Sequence, residues 1–179
     1  MTVRKNILAI SGSTRADATS NHLIKAIANL YEEELNITLF ENIATLPHFN
    51  PDDDKEVVAK AVADFRQQIQ EVDGVIICTP EYAHGVPGTL KNAIDWTVSS
   101  ADFSNKPTVL ITASTDGRFG HAALLETLKV IEAKDVESLQ LIIRFVKTKV
   151  GSDATIIHAE TLAAVKKLMN DFIETLAKN

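Results

Sequence analysis

Three short stretches of the chain are apolar without alternation: residues 7–10, 75–78 and 109–111, the last flanked by threonines. A strand with one face in water alternates apolar and polar positions, whereas an unbroken run marks a strand covered on both faces, as in a parallel sheet. Between these runs the spacing becomes helical. Leu23, Ile24, Ile27, Leu30 and Tyr31 form one stripe, preceded by Thr19, Ser20 and Asn21, any of which is a suitable helix cap. A second stripe over residues 57–69 runs through Val58, Val62, Phe65 and Ile69. Pro87 stands where a first helical turn tolerates proline, ahead of Leu90, Ile94 and Val98. Leu124, Leu125, Leu128 and Ile131 predict a fourth helix, and Leu162, Val165, Leu168, Met169, Phe172 and Leu176 a fifth. "LNITLF" (35–40) and a run near "VESLQLII" (136–143) supply the outer strands.

Strand and helix thus alternate five times along the chain. Parallel strands joined by helical crossovers make a doubly wound α/β sandwich, with helices on both faces of the sheet. Five strands favour the flavodoxin-like order 2-1-3-4-5, a three-layer arrangement, over a six-stranded sheet. Ligands of such sheets bind beyond the carboxyl ends of the strands, where the order reverses between the first and third. That rule singles out three loops, residues 11–21, 79–87 and 113–121. The length of 179 residues with 45% hydrophobic content is that of one domain, taken here as residues 1–179.

Charge and composition narrow the function. With 24 acidic against 18 basic residues, the net charge of −6 leaves no basic stripe for a nucleic-acid backbone or an anionic membrane. No segment reaches the roughly 18 apolar residues of a membrane span, and the N-terminus lacks the features of a signal peptide. The single cysteine, Cys78, sits inside an apolar run and reads as a buried thiol in a reducing, cytoplasmic setting. His22, His48, His84, His121 and His158 are scattered without metal-ligand spacing, and no GxSxG nucleophile elbow is present.

The first loop, "SGSTRADATSN", has neither a dinucleotide fingerprint nor a triphosphate-binding P-loop. Hydroxyls, an arginine and the N–H groups of a helix start suit a phosphate monoester, with Ser13, Arg15, Ser20 and Asn21 as donors. On the plainer reading, Ser20 or Asn21 only caps the helix and Arg15 is a solvated charge. In the second loop, "TPEYAHGVPG" (79–88), two prolines and two glycines fix an irregular path with close backbone approach. Such a path fits a flat aromatic ligand, with Tyr82 against its ring. The third loop, "ASTDGRFGH", again puts glycines directly after a buried strand. The three together point to a mononucleotide with a large planar base.

"SGSTR" followed by "SN", then "LPHFNPD" and "PEYAHGVPGTLKNAIDW", resemble the NADPH-dependent FMN reductase family of flavodoxin-like proteins, from about residue 7 to residue 125. That family includes quinone, chromate and azo-compound reductases. The resemblance implies a noncovalent FMN whose phosphate is held by Ser13, Arg15, Asn21 and either Thr19 or Ser20. It places the flavin along Pro80, Glu81, Tyr82, Ala83, His84 and Gly85, with Ser114 and Gly117 of the third loop bordering the ring. The family usually carries asparagine at the position of Ala83, so any side-chain contact there is absent or replaced by backbone. The implied reaction passes a hydride from NADPH, or NADH, to FMN and then electrons to a small acceptor such as a quinone, a flavin, an azo compound or a metal oxyanion. No protein acid, base or nucleophile is assigned, and a homodimer or homotetramer is implied. The alternative is a flavodoxin-like carrier that binds FMN and shuttles single electrons without oxidising NADPH. Residues 136–160 offer no recognisable site.

Overall fold

The structure, a computed structural model, describes residues 4–178. Among the described residues, five strands form one parallel sheet: β1 (Lys5–Ser11), β2 (Leu35–Phe40), β3 (Gly74–Thr79), β4 (Thr108–Ser114) and β5 (Gln140–Arg144), in the order β2-β1-β3-β4-β5. The connecting helices are α1 (Thr19–Leu30), α2 (Lys60–Glu71), α3 (Gly88–Asp95) and α4 (Arg118–Val130), and α5 (Ala159–Ala177) closes the chain. Short 3-10 turns lie at Ile43–Thr45, Pro51–Asp53 and Val146–Thr148.

Side chains alternate across a strand, so the unbroken apolar runs feed two cores. Ile7, Ala9, Ile76, Val109 and Ile111 face α1 and α5, meeting Leu23, Ile27, Val165 and Phe172. Leu8, Ile10, Val75, Ile77 and Leu110 face the other way, onto Phe65, Leu90, Ile94 and Leu124 of α2, α3 and α4. Each fully buried large aliphatic or aromatic side chain contributes about 1.5–3 kcal/mol. Cys78 is one of the first group and is completely buried.

The register sets the site. Ser11 pairs with Cys78, Cys78 with Ile111, and Ser114 with Arg144, so the loops after β1, β3, β4 and β5 leave from one edge of the sheet. Gly12 makes the first departure possible, because a Cβ there would lie 2.1 Å from Thr79 Oγ1. Its N–H donates to the Cys78 carbonyl at 2.9 Å.

Two helix boundaries differ from the periodicity. Helix α2 begins at Lys60 and not at residue 57; Val57 is 89% exposed, while Val58, in line with Val62, Phe65 and Ile69, packs against the core from the approaching chain. Apolar spacing does not distinguish an extended approach from a first turn. Helix α3 ends at Asp95, leaving Val98 half exposed beyond it. The stop is enforced at Trp96, whose carbonyl accepts from Arg66 Nε at 2.6 Å and whose indole Nε1 donates to the Pro47 carbonyl at 2.8 Å. Arg66 also pairs with Asp54 at 2.8 Å and donates to Ser99 Oγ at 3.2 Å, and Gln70 donates to the buried Asp102; the bonds to Ser99 and Asp102 fasten the chain after α3 onto α2. Lys91 and Asp95 form the surface pair that their spacing predicts.

Candidate functional site

A cavity of about 340 Å3 opens at the carboxyl edge of β1, β3, β4 and β5, within the size range of small-ligand sites. The first loop contributes Ser13, Arg15, Ala18, Thr19 and Ser20, the second Pro80, Glu81 and Tyr82, and the third Ala113, Ser114 and Thr115. A fourth wall comes from Phe145, Val146, Lys147 and Thr148 after β5. Of the residues singled out by sequence, Ser13, Arg15, Thr19, Ser20, Pro80, Glu81, Tyr82 and Ser114 line one space. Asn21, Ala83, His84, Gly85 and Gly117 lie outside its lining.

The first loop is ordered by its own hydroxyls. Ser11 Oγ and Ser20 Oγ share a buried 2.9 Å hydrogen bond, Ser11 Oγ accepts from Ser13 N, and Ser13 Oγ accepts from Arg15 N. The residue before α1 is Ala18, whose side chain has no oxygen, and none of Thr19, Ser20 or Asn21 serves as the cap. The capping reading therefore fails for a local reason: all three lie inside the first turn, and the Ser20 hydroxyl is engaged by Ser11. A helix start without a side-chain cap retains unsatisfied N–H groups and partial positive charge. Beside it, Arg15 has no ion pair or side-chain hydrogen bond among the described residues. Asn21 Oδ1 is buried in the same turn without a partner.

The second loop ends in a tight turn in which Tyr82 N donates to Gly85 O at 3.1 Å and Gly85 N to Tyr82 O at 2.8 Å. Its central residues, Ala83 and His84, have φ of +48° and +58°, the left-handed pair that a type I′ turn requires. The irregular path is thus carried by an alanine and a histidine. Gly85 has no positive φ, and a Cβ on it would meet nothing nearer than Tyr82 O at 3.6 Å. The close approach occurs instead at Gly120 of α4, where a Cβ would lie 2.9 Å from Gly85 O.

Glu81 joins the second loop to the third. Its N–H donates to Ser114 Oγ at 3.3 Å, and its carboxylate accepts from Gly120 N at 2.6 Å. His84 stacks on Phe119 with ring centroids 4.4 Å apart. Gly117 immediately precedes α4 with φ of +91° and is buried against Thr112. His121 is buried one helical turn further on, Nδ1 bonded to Thr112 Oγ1 at 2.9 Å and Nε2 to Gln140 Oε1 at 2.7 Å. Burial holds its imidazolium below the usual histidine pKa, partly offset by Gln140. It is a packed histidine and does not line the cavity. Asp116 pairs with Arg118 at 2.9 Å and with Arg144 at 3.5 Å, and these arginines hold its carboxyl below the ordinary range, the Arg118 hydrogen bond most of all.

The wall formed by residues 145–148 had no Gly or Pro punctuation to mark it, so sequence reasoning passed over it. The available signal was topological, since the end of β5 falls on the same carboxyl edge. Among the described residues no group of three or more His, Cys, Asp or Glu is placed to hold a metal ion, and no helix is long and apolar enough to cross a membrane.

A parallel sheet in this order, with its cavity at the switch point, defines a flavodoxin-like α/β protein. Residues 5–147 match the NADPH-dependent FMN reductase family, and the chain belongs to it. It is similar to an NADH-dependent flavin reductase subunit 2 of Lactobacillus johnsonii, 29% identical over 180 residues that cover 94% of this chain and 95% of that one. It is 32% identical over 125 residues to a quinone reductase of Escherichia coli, covering 68% and 66% of the two chains. Among solved structures, the flavoenzyme NAD(P)H:(acceptor) oxidoreductase FerB of Paracoccus denitrificans shares the fold with a TM-score of 0.78, at 23% identity and 97% and 98% coverage.

Proposed function

We propose that this protein is an FMN-containing oxidoreductase that takes a hydride from NADPH, or NADH, and delivers electrons to a small acceptor: a quinone, a free flavin, an azo compound or a metal oxyanion. The observation that carries the reading is the uncapped start of α1 beside the unpartnered Arg15, both on the cavity at the switch point. A phosphate monoester answers that donor set, because helix N–H groups and a guanidinium offset the water it loses. Asn21 Oδ1, buried in the same turn without a partner, lies behind the cavity wall and not in its lining.

Ser13, Arg15 and the first N–H groups of α1 hold the phosphate, while Asn21, outside the lining, supports the turn from behind. Thr19 supplies the side-chain hydroxyl there, since that of Ser20 is engaged by Ser11. Pro80, Glu81 and Tyr82 carry the flavin edge, with Ala83, His84 and Gly85 at the tip of the same loop. Ser114 fixes Glu81 from the third loop, and Gly117 lets α4 begin close behind it. FMN, when bound, supplies the hydride acceptance and electron transfer; the protein orients it and excludes side reactions. Residues 1–179 act as one FMN-binding domain, cytoplasmic and independent of nucleic acid, and assemble as a homodimer or homotetramer.

The test is the spectrum of the purified protein with added FMN, followed by NADPH oxidation with a quinone and no partner protein. The expected result is a yellow protein with the two-band absorption of oxidised flavin that consumes NADPH steadily. A folded sample that takes up no FMN overturns the reading. A flavin reduced only by a partner reductase identifies a one-electron carrier instead.

A further inference from the structure

The turn after β5 contains no glycine. Phe145 adopts φ of +52° and ψ of +40°, a left-handed conformation that is a genuine outlier for so bulky a residue. Strain of this kind persists only where the surroundings over-determine it, and it clusters at functional sites. Here they do. Phe145 N donates to the Thr115 carbonyl, Thr148 returns both its N–H and its hydroxyl to the Phe145 carbonyl, and Val150 N donates to Val146 O. Val146 is anchored in the core. The product of this fixed turn is an exposed lysine, Lys147, on the wall of the cavity.

Lys147 has no ion pair or hydrogen bond among the described residues. The cations nearest the cavity's outer edge are paired, Arg118 and Arg144 both with Asp116; other lysines of the chain, such as Lys25 and Lys55, also lack ion pairs but do not line the cavity. Two unpartnered cations, Arg15 and Lys147, therefore line one cavity, on loops that leave different strands. A doubly charged phosphate is the anion that such a pair fits. Arg15 presents a planar fork of donors, and Lys147 a point charge on a flexible stem.

We propose that Lys147 is a phosphate-binding residue that acts with Arg15 on the monoester of FMN, making the turn after β5 a working part of the site. This rests on the FMN reading above. It adds a contact from a segment that the sequence left without a role.

The experiment compares FMN with riboflavin, the same ring without the phosphate, by fluorescence titration of the wild-type protein, Lys147→Gln and Lys147→Arg. Wild type is expected to bind FMN more tightly than riboflavin; equal affinity for the two overturns the FMN reading itself, before any variant is considered. Lys147→Gln is expected to weaken FMN about tenfold while leaving riboflavin unchanged, and to make the FMN affinity less sensitive to salt. Lys147→Arg keeps the charge and restores most of the preference. If Lys147→Gln leaves the wild-type preference intact, or weakens both ligands equally, the proposal is overturned and the FMN reading stands. NADPH also carries a phosphate monoester, which NADH lacks. A raised KM for NADPH alone, with FMN affinity unchanged, would assign the lysine to the cosubstrate and likewise overturn the proposal.

Discussion

The carboxylate of Glu81 accepts the backbone N–H of Gly120 at 2.6 Å, locking the loop after β3 onto the first turns of α4. The contact is close on both sides, since a Cβ on Gly120 would also lie 3.1 Å from Glu81 Cγ. A hydrogen bond to a charged group contributes about 1.5–3 kcal/mol. Glu81→Ala should therefore lower unfolding free energy by about that amount and weaken flavin binding, as the loop is released from α4. Glu81→Gln, which keeps an acceptor oxygen, should lose much less. Urea titrations of the two variants giving the same loss would refute a role for this bond.

Backbone strain in the second loop predicts an improvement by substitution. Ala83 is held at φ of +48°, where an L side chain costs roughly 1–2 kcal/mol that glycine or asparagine largely avoids. Ala83→Asn and Ala83→Gly should stabilise the protein by about 0.5–1 kcal/mol after the entropy of the unfolded chain is counted. A midpoint in urea that does not rise would show that the turn relaxes around alanine without strain.

Glycines 85 and 117 should respond in opposite ways. Gly117→Ala places a Cβ 2.9 Å from Thr112 Cγ2 on a backbone at φ of +91°, and is expected to cost about 1–2 kcal/mol or more. Gly85→Ala meets only Tyr82 O, at 3.6 Å, and should leave stability nearly unchanged. Thermal melts of the pair decide the matter, and equal losses would contradict the structure.

His121 makes stability depend on pH. Its folded pKa is lowered by burial, so the unfolded chain takes up a proton before the folded one does. The contribution is complete above the unfolded value of about 6.5 and is lost as pH falls through the folded value. Wild type should lose stability between pH 7 and pH 5, and His121→Gln should lose less over that interval. Parallel pH profiles for the two proteins would remove His121 as the cause.

Cys78 is expected to be inert. Burial pushes its thiol up to about 12, so almost no thiolate, the reactive form, exists near neutral pH. The native protein should keep its activity through prolonged treatment with iodoacetamide and react only once unfolded. Rapid labelling at pH 7.5 without loss of structure would count against this burial.

The sheet was legible because burial on both faces writes itself into the chain as unbroken apolar runs: residues 7–10, 75–78 and 109–111 fall inside β1, β3 and β4. The carboxyl-edge rule then brought three of the four cavity walls into view. Finer features were hidden because they depend on partners distant in sequence. Nothing near Ser20 indicates that its hydroxyl belongs to Ser11, nor does "AHG" disclose that Ala83 and His84 bear the left-handed turn while Gly85 does not. The turn that carries Lys147 was hidden in the same way: it is held in part by the bond from Phe145 N to the distant Thr115 carbonyl, around a strained Phe145, which composition does not register.

The indole of Trp96 is the only one in the chain, and its burial beside Phe49 gives the protein a built-in optical probe. Shielded from water, it emits at short wavelength in the native state and shifts to the red when α2 and α3 separate. Oxidised flavin absorbs where indole emits, so the same chromophore should dim when FMN binds. One emission spectrum thus reports folding by its colour and occupancy by its intensity.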